Sequence, residues 1–126
     1  MYDKLKILYI EDSENDAVLL THHLRNLCEN IKFERVESKS ELNNILKKEK
    51  WDVIVIDNSL PTLTALEAIE LIKKKNIDSP MICVSGTELQ DIRNQCLEAG
   101  AKAFILKDNS DEFVKTVEEI LKHCFD

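Results

Sequence analysis

Val53-Ile54-Val55-Ile56-Asp57 sets four β-branched residues in a row and ends them in a carboxylate. A short unbroken apolar run of this kind suits a strand covered on both faces, as the strands of a parallel sheet are. The same construction recurs along the chain. Ile7 to Ile10 leads into Glu11 and Asp12, Met81 to Val84 into Ser85, and Phe104 to Leu106 into Lys107. Open α/β sheets bind ligands outside the carboxyl ends of their strands. Two or three carboxylates, a hydroxyl and an ammonium are therefore expected to meet at one edge.

Strand-like and helix-like segments alternate five times, the pattern of a doubly wound α/β fold. Strands are expected at about 5–10, 32–36, 52–57, 80–85 and 102–106, and helices at about 14–28, 39–49, 65–75, 88–98 and 110–123. Ala17, Leu20, Leu24 and Leu27 share one face of the first helix, and Phe113, Val117, Ile120 and Leu121 one face of the last. Ser38 with Glu41, and Asn109 with Glu112, have the spacing of capping boxes. Pro61, Gly86 and Gly100 fall in connections, and Pro80 opens a strand, where a missing donor is tolerated.

At 126 residues the chain is expected to form one domain, residues 1–126. A net charge of −7 argues against nucleic acid and against an anionic membrane as partners, since both require a cationic face. Proteins or small molecules fit better. Cys28, Cys83, Cys96 and Cys124 show no Cys-x-x-Cys spacing and read as small buried hydrophobes. No charged apolar leader precedes the first strand and no run is long enough to span a bilayer, so a cytoplasmic location is expected.

Glu11, Asp12 and Asp57 at one edge would raise each other's pKa unless a cation stood among them. Oxygen-only ligands with open positions for water and substrate describe magnesium better than zinc or calcium. Asp12 and Asp57 are then direct ligands and Glu11 acts through water. Taken singly, each residue reads equally as ordinary surface: acids at a helix start, a serine in a turn, a lysine after a strand. Their shared placement at the ends of adjacent strands sets them apart.

These residues carry a resemblance. In Ile-Leu-Tyr-Ile-Glu11-Asp12, Val-Ile-Val-Ile-Asp57-Asn-Ser-Leu-Pro61, Ile-Cys-Val-Ser85-Gly-Thr and Phe104-Ile-Leu-Lys107, in that order, the chain resembles the response-regulator receiver domain of two-component signalling over its whole length. The resemblance implies a flavodoxin-like five-stranded parallel sheet of order 2-1-3-4-5 with five helices. It implies that Asp57 accepts a phosphoryl group from a phosphohistidine on a sensor histidine kinase or histidine phosphotransfer protein, and that the result is read by a downstream protein. It makes Glu11, Asp12, Asp57 and the main-chain carbonyl of Ser59 the Mg2+ ligands. Ser85 and Lys107 then bind phosphoryl oxygens, and Ser85 and Phe104 switch, Phe104 reading otherwise as a plain core residue. The segment Glu-Asp-Ser-Glu-Asn-Asp16-Ala-Val-Leu-Leu looks like that of stand-alone receivers serving phytochrome-type or other sensor kinases. On this reading the protein signals and is not an enzyme, apart from catalysing its own phosphorylation and dephosphorylation.

Two positions depart from the family pattern. Ala65 replaces a common glycine, so the loop after Pro61 either avoids positive φ or costs on the order of 1 kcal/mol. Asp108 replaces a proline that often follows a cis bond. Competing readings are a phosphorylation-independent interaction module and a phosphoaspartate hydrolase. Dehalogenase-type phosphatases have a second aspartate two residues after the first, where this chain has Ser59. A flavodoxin-like cofactor binder needs an uncharged phosphate loop where Asp12 to Asp16 is acidic.

Overall fold

The computed structural model describes residues 2–60, 62–87 and 89–125, with side chains for those between 4 and 123. Pro61, the helix start at Glu88 and the burial expected of the Cys124 side chain lie outside the described residues. Strands and helices alternate as β1 Tyr2–Ile10, α1 Glu14–His23, β2 Cys28–Val36, α2 Lys39–Lys48, β3 Val53–Asp57, α3 Ala65–Lys74, β4 Met81–Ser85, α4 Gln90–Ala99, β5 Ala103–Leu106 and α5 Ser110–Phe125. The five strands are all parallel and stand in the order β2-β1-β3-β4-β5, as expected.

The unbroken apolar runs are explained by what covers each face. Leu8, Ile10, Ile54, Ile56, Cys83 and Phe104 face Leu42 of α2, Ile69 and Ile72 of α3 and Cys96 of α4. Their neighbours Ile7, Tyr9, Val55, Ile82, Val84 and Ile105 face Ala17 and Leu20 of α1 and Phe113, Val117 and Leu121 of α5. Each large aliphatic buried this way contributes roughly 1.5–3 kcal/mol. The α1 helix is further pinned by the Tyr9 hydroxyl, 2.7 Å from Thr21 Oγ1, while Thr21 donates to the Ala17 carbonyl at 2.8 Å. That pin ties the C-terminal half of α1 to β1.

Three boundaries differ from expectation by three residues or more, and the first is that of β1, which starts at Tyr2 rather than near residue 5. β2 starts at Cys28, pairing Tyr2 with Cys28 and running in register to Ile10 with Val36. It lies at the edge of the sheet, where its charged and apolar residues alternate and its first half looks polar. The first helix accordingly ends at His23 rather than near residue 28. Leu24 and Leu27 still reach the core from tight turns, in which Leu24 and Leu27 donate to the carbonyls three residues back at 3.0 and 2.9 Å.

The caps also differ in detail. Ser38 accepts from the Glu41 N–H, but Glu41 accepts from Glu37 and the Ser38 hydroxyl rather than from the Ser38 N–H. Asn109 and Glu112 likewise pair through their side chains. The full reciprocal box is Thr64 with Glu67, each accepting the other's N–H at 3.1 Å. Ala65 is the first residue of that helix and has no positive φ, so no strain arises there. Gly100 ends α4 at φ 127°, and a Cβ there would run into Cε and Nζ of Lys73. Pro80 precedes β4 and accepts from the Ile54 N–H at 2.9 Å.

Candidate functional site

The carboxyl edge is held by main-chain bonds between neighbouring strands. Glu11 N–H donates to the Val36 carbonyl at 2.9 Å, Asn58 N–H to Val84 at 2.9 Å and Lys107 N–H to Ser85 at 2.8 Å. These bonds carry each strand one residue past its apolar run, setting Glu11 and Asp57 inside the rim. Both are buried, as is Ser85, while Asp12 is exposed. The Lys107–Asp108 bond is trans, there being no cis bond among the described residues, and Asn109 N–H closes that turn onto Leu106 at 3.0 Å.

Carboxylate oxygens of Glu11, Asp12 and Asp57 lie within 4.8 Å of one another. Lys107 Nζ approaches from β5, 3.0 Å from Glu11 Oε2, 3.3 Å from Asp57 Oδ2 and 2.8 Å from Asp16 Oδ2. Glu11 Oε1 accepts the Ser13 N–H at 3.1 Å and Asp57 Oδ1 the Ser59 N–H at 3.0 Å. Glu11 Oε2 is buried and receives no hydrogen bond of good geometry, despite its contact with Lys107. An orphaned buried carboxylate oxygen beside two further carboxylates fits a hard divalent cation.

Burial pushes the Glu11 carboxyl up to about 7, with Asp57 adding to the rise and Lys107 and the Ser13 N–H opposing it. Burial works against the Lys107 ammonium, but bonds to Asp16 and Glu11 and the field of Asp57 outweigh it and hold its pKa above the usual lysine range. The ground state is thus an ammonium locked among carboxylates.

The hydroxyl expected to join this group is engaged elsewhere. Ser85 Oγ donates to the Thr87 carbonyl at 2.7 Å and accepts the Thr87 N–H at 3.3 Å. Phe104 pairs with Cys83 across β4 and β5, and its ring is buried on the face toward α3 and α4. Ser59 reaches Asp57 through its N–H. Asp16 and Arg35 were not anticipated. Arg35 donates to the main-chain carbonyl of Glu11 at 3.1 Å and pairs with Glu37 at 3.2 Å, bracing the turn that carries the acids. An acid in the first turn of α1 was the available signal for Asp16, but that position also suits the helix dipole.

The family model of the response regulator receiver domain matches residues 7–118. The chain belongs to that family. Among similar curated proteins, chemotaxis protein CheY of Listeria monocytogenes is 27% identical over 94% of this chain and 99% of its own. The autoinducer 2 sensor kinase/phosphatase LuxQ of Vibrio parahaemolyticus is 28% identical over 83% of this chain. The receiver domain spans only 12% to 36% of the length of this and other curated relatives it matches. Among solved structures, the receiver domain of a Pseudomonas aeruginosa sensor histidine kinase, with a magnesium ion in its active-site cleft, superposes with a TM-score of 0.78. It is 22% identical and covers 94% of this chain and 98% of its own. The fold is the flavodoxin-like receiver fold, and the family's place is in two-component phosphotransfer signalling. Among the described residues no helix is long and apolar enough to cross a membrane.

Proposed function

We propose that Asp57 of this receiver accepts a phosphoryl group from the phosphohistidine of a sensor histidine kinase or histidine phosphotransfer protein. The observation that supports this most is Lys107, held within 3.3 Å of a buried Asp57 and flanked by a second buried acid. A carboxylate oxygen of Asp57 attacks phosphorus in line as the bond from phosphorus to the histidine nitrogen breaks; that nitrogen keeps the bonding pair, and because the donor ring is protonated at its other nitrogen the products are an acyl phosphate and a neutral imidazole. The receiver positions the acceptor and neutralises charge rather than supplying a proton.

Glu11, Asp12, Asp57 and the Ser59 carbonyl are the proposed Mg2+ ligands, and the ion, when bound, offsets the charge of the phosphoryl oxygens. Lys107 pairs with one phosphoryl oxygen, and Ser85 donates to another once it leaves Thr87. Val18 and Leu19 on α1 and Leu89 at the start of α4 are exposed apolar residues on elements that flank the carboxyl edge, suited to a protein partner. The acidic chain is proposed to act as one cytoplasmic domain, residues 1–126, that binds a downstream protein rather than nucleic acid or membrane and turns over no separate substrate.

Incubation with Mg2+ and acetyl phosphate tests this. One added phosphoryl group on Asp57, lost in hydroxylamine, is expected by mass spectrometry. A protein that stays unmodified with both acetyl phosphate and a cognate kinase is instead a phosphorylation-independent module.

A further inference from the structure

Lys107 meets three carboxylates, and one of them belongs to none of the roles assigned above. Asp16 stands in the first turn of α1, with its N–H taken by the Ser13 hydroxyl at 3.2 Å and its Oδ2 2.8 Å from Lys107 Nζ. That is the shortest of the three contacts. The two residues are 91 positions apart in sequence and come together where α1, packed on the sheet through Ala17 and Leu20, passes the carboxyl end of β5.

An ammonium has three donors: here Asp16 and Asp57 accept hydrogen bonds from it, and Glu11 Oε2 crowds the remaining side at 3.0 Å. A phosphoryl group arriving at Asp57 brings new acceptors, so one existing partner must let go. Glu11 and Asp57 are buried, and an unpaired carboxylate there is costly. The Asp16 side chain is 42% exposed and can be rehydrated at little cost. It is the partner that leaves.

We infer that Asp16 is a positioning residue that parks the Lys107 ammonium on the α1 side of the site and competes with the phosphoryl group for it. The inference rests on Asp57 being the phosphoacceptor. Asp16 therefore restrains the receiver: its charge repels an incoming anion and occupies the cation meant for that anion. Removing the charge at constant shape frees Lys107 and strengthens anion capture.

The test is the dissociation constant of beryllofluoride with Mg2+, measured by NMR titration on the parent, Asp16→Asn, Asp16→Glu, Lys107→Ala and the Asp16→Asn/Lys107→Ala double variant. Asp16→Asn is expected to bind about two- to fivefold tighter than the parent, the range an exposed ion pair is worth. Asp16→Glu should match the parent, and the gain should vanish when Lys107 is absent. With acetyl phosphate as donor, KM should fall by a similar factor while kcat moves less. Unchanged or weaker binding by Asp16→Asn overturns the inference, and so does an equal gain in the Lys107→Ala background, because Asp16 then does not act through Lys107. A parent that binds no beryllofluoride removes the acceptor reading and this inference with it. A parent that binds while Asp16→Asn matches it removes the inference alone.

Discussion

On the α1 side of Asp57 the contacts are already made: Lys107 touches Glu11, Asp16 and Asp57 before any ligand is present. On the β4 side they are not, since the Ser85 hydroxyl is bonded in both directions to Thr87 and the Phe104 ring is buried. Opposite charges hold each other in place without a substrate. A buried neutral hydroxyl must be satisfied by something, so it stays with a loop carbonyl until a stronger acceptor arrives. A charged phosphoryl oxygen is such an acceptor, its hydrogen bonds being roughly twice as strong as neutral ones. The electrostatic half thus captures the group, and the hydroxyl half reports it. Moving Ser85 leaves the Thr87 carbonyl unpaired, so the connection between β4 and α4 must rearrange with it.

The largest expected effect comes from removing the acceptor. Asp57→Asn should show no hydroxylamine-sensitive phosphorylation by peptide mapping, with the far-UV circular dichroism of the parent. Full labelling of the variant would place the acceptor elsewhere and dissolve the comparison.

Next is the cation. Asp12 is exposed and its carboxylate completes the acidic triad, so Asp12→Ala should fold normally yet weaken Mg2+ binding by about tenfold or more in calorimetry, ~1.4 kcal/mol for each factor of ten. Equal affinity would remove Asp12 from the ligand set.

Lys107→Ala separates the halves. It should still accept a phosphoryl group but lose most of the mimic-induced NMR shifts at Ser85 and Phe104. In metal-free buffer its urea stability should fall by about 2 kcal/mol, because Glu11 and Asp57 lose their cation. Full burial would cost about 3–5 kcal/mol, but the lysine side chain is 23% exposed. Parent-like shifts would show that the β4 side responds without the lysine.

The smallest effect is on pH dependence. Glu11 titrates near 7 in the fold against an ordinary 4.5, so the folded state binds the extra proton between those values. Without a divalent cation its stabilising contribution is present below about pH 4.5 and lost as pH rises through about 7. Thermal melts in EDTA should show that decline in the parent and a weaker one in Glu11→Gln. Parallel curves would mean Glu11 titrates normally.

The sheet was legible because parallel strands buried on both faces announce themselves as apolar runs, and the residues after those runs mark the carboxyl edge. The first half of β2 was not, since an edge strand alternates and the stretch from Glu29 to Ile31 reads as the connection between a helix ending near Cys28 and a strand starting near Lys32. Thr64 with Glu67 was readable as a capping box and was passed over. Asp16 and the bond from Ser85 to Thr87 lie on a different footing. They depend on where side chains from distant or neighbouring segments land, and no periodicity encodes that. The resemblance to receivers implied what Ser85 and Lys107 bind when the site is charged, whereas the structure shows what holds them beforehand.

The central claim is that phosphorylation trades the Ser85–Thr87 bond for a bond to the phosphoryl group. A crystal structure with Mg2+ and beryllofluoride on Asp57 tests it most directly. Ser85 Oγ should stand within hydrogen-bond distance of a fluoride and away from the Thr87 carbonyl, with Lys107 on a second fluoride. Beryllofluoride bound on Asp57 with Ser85 still donating to Thr87 at about its present 2.7 Å would contradict the account.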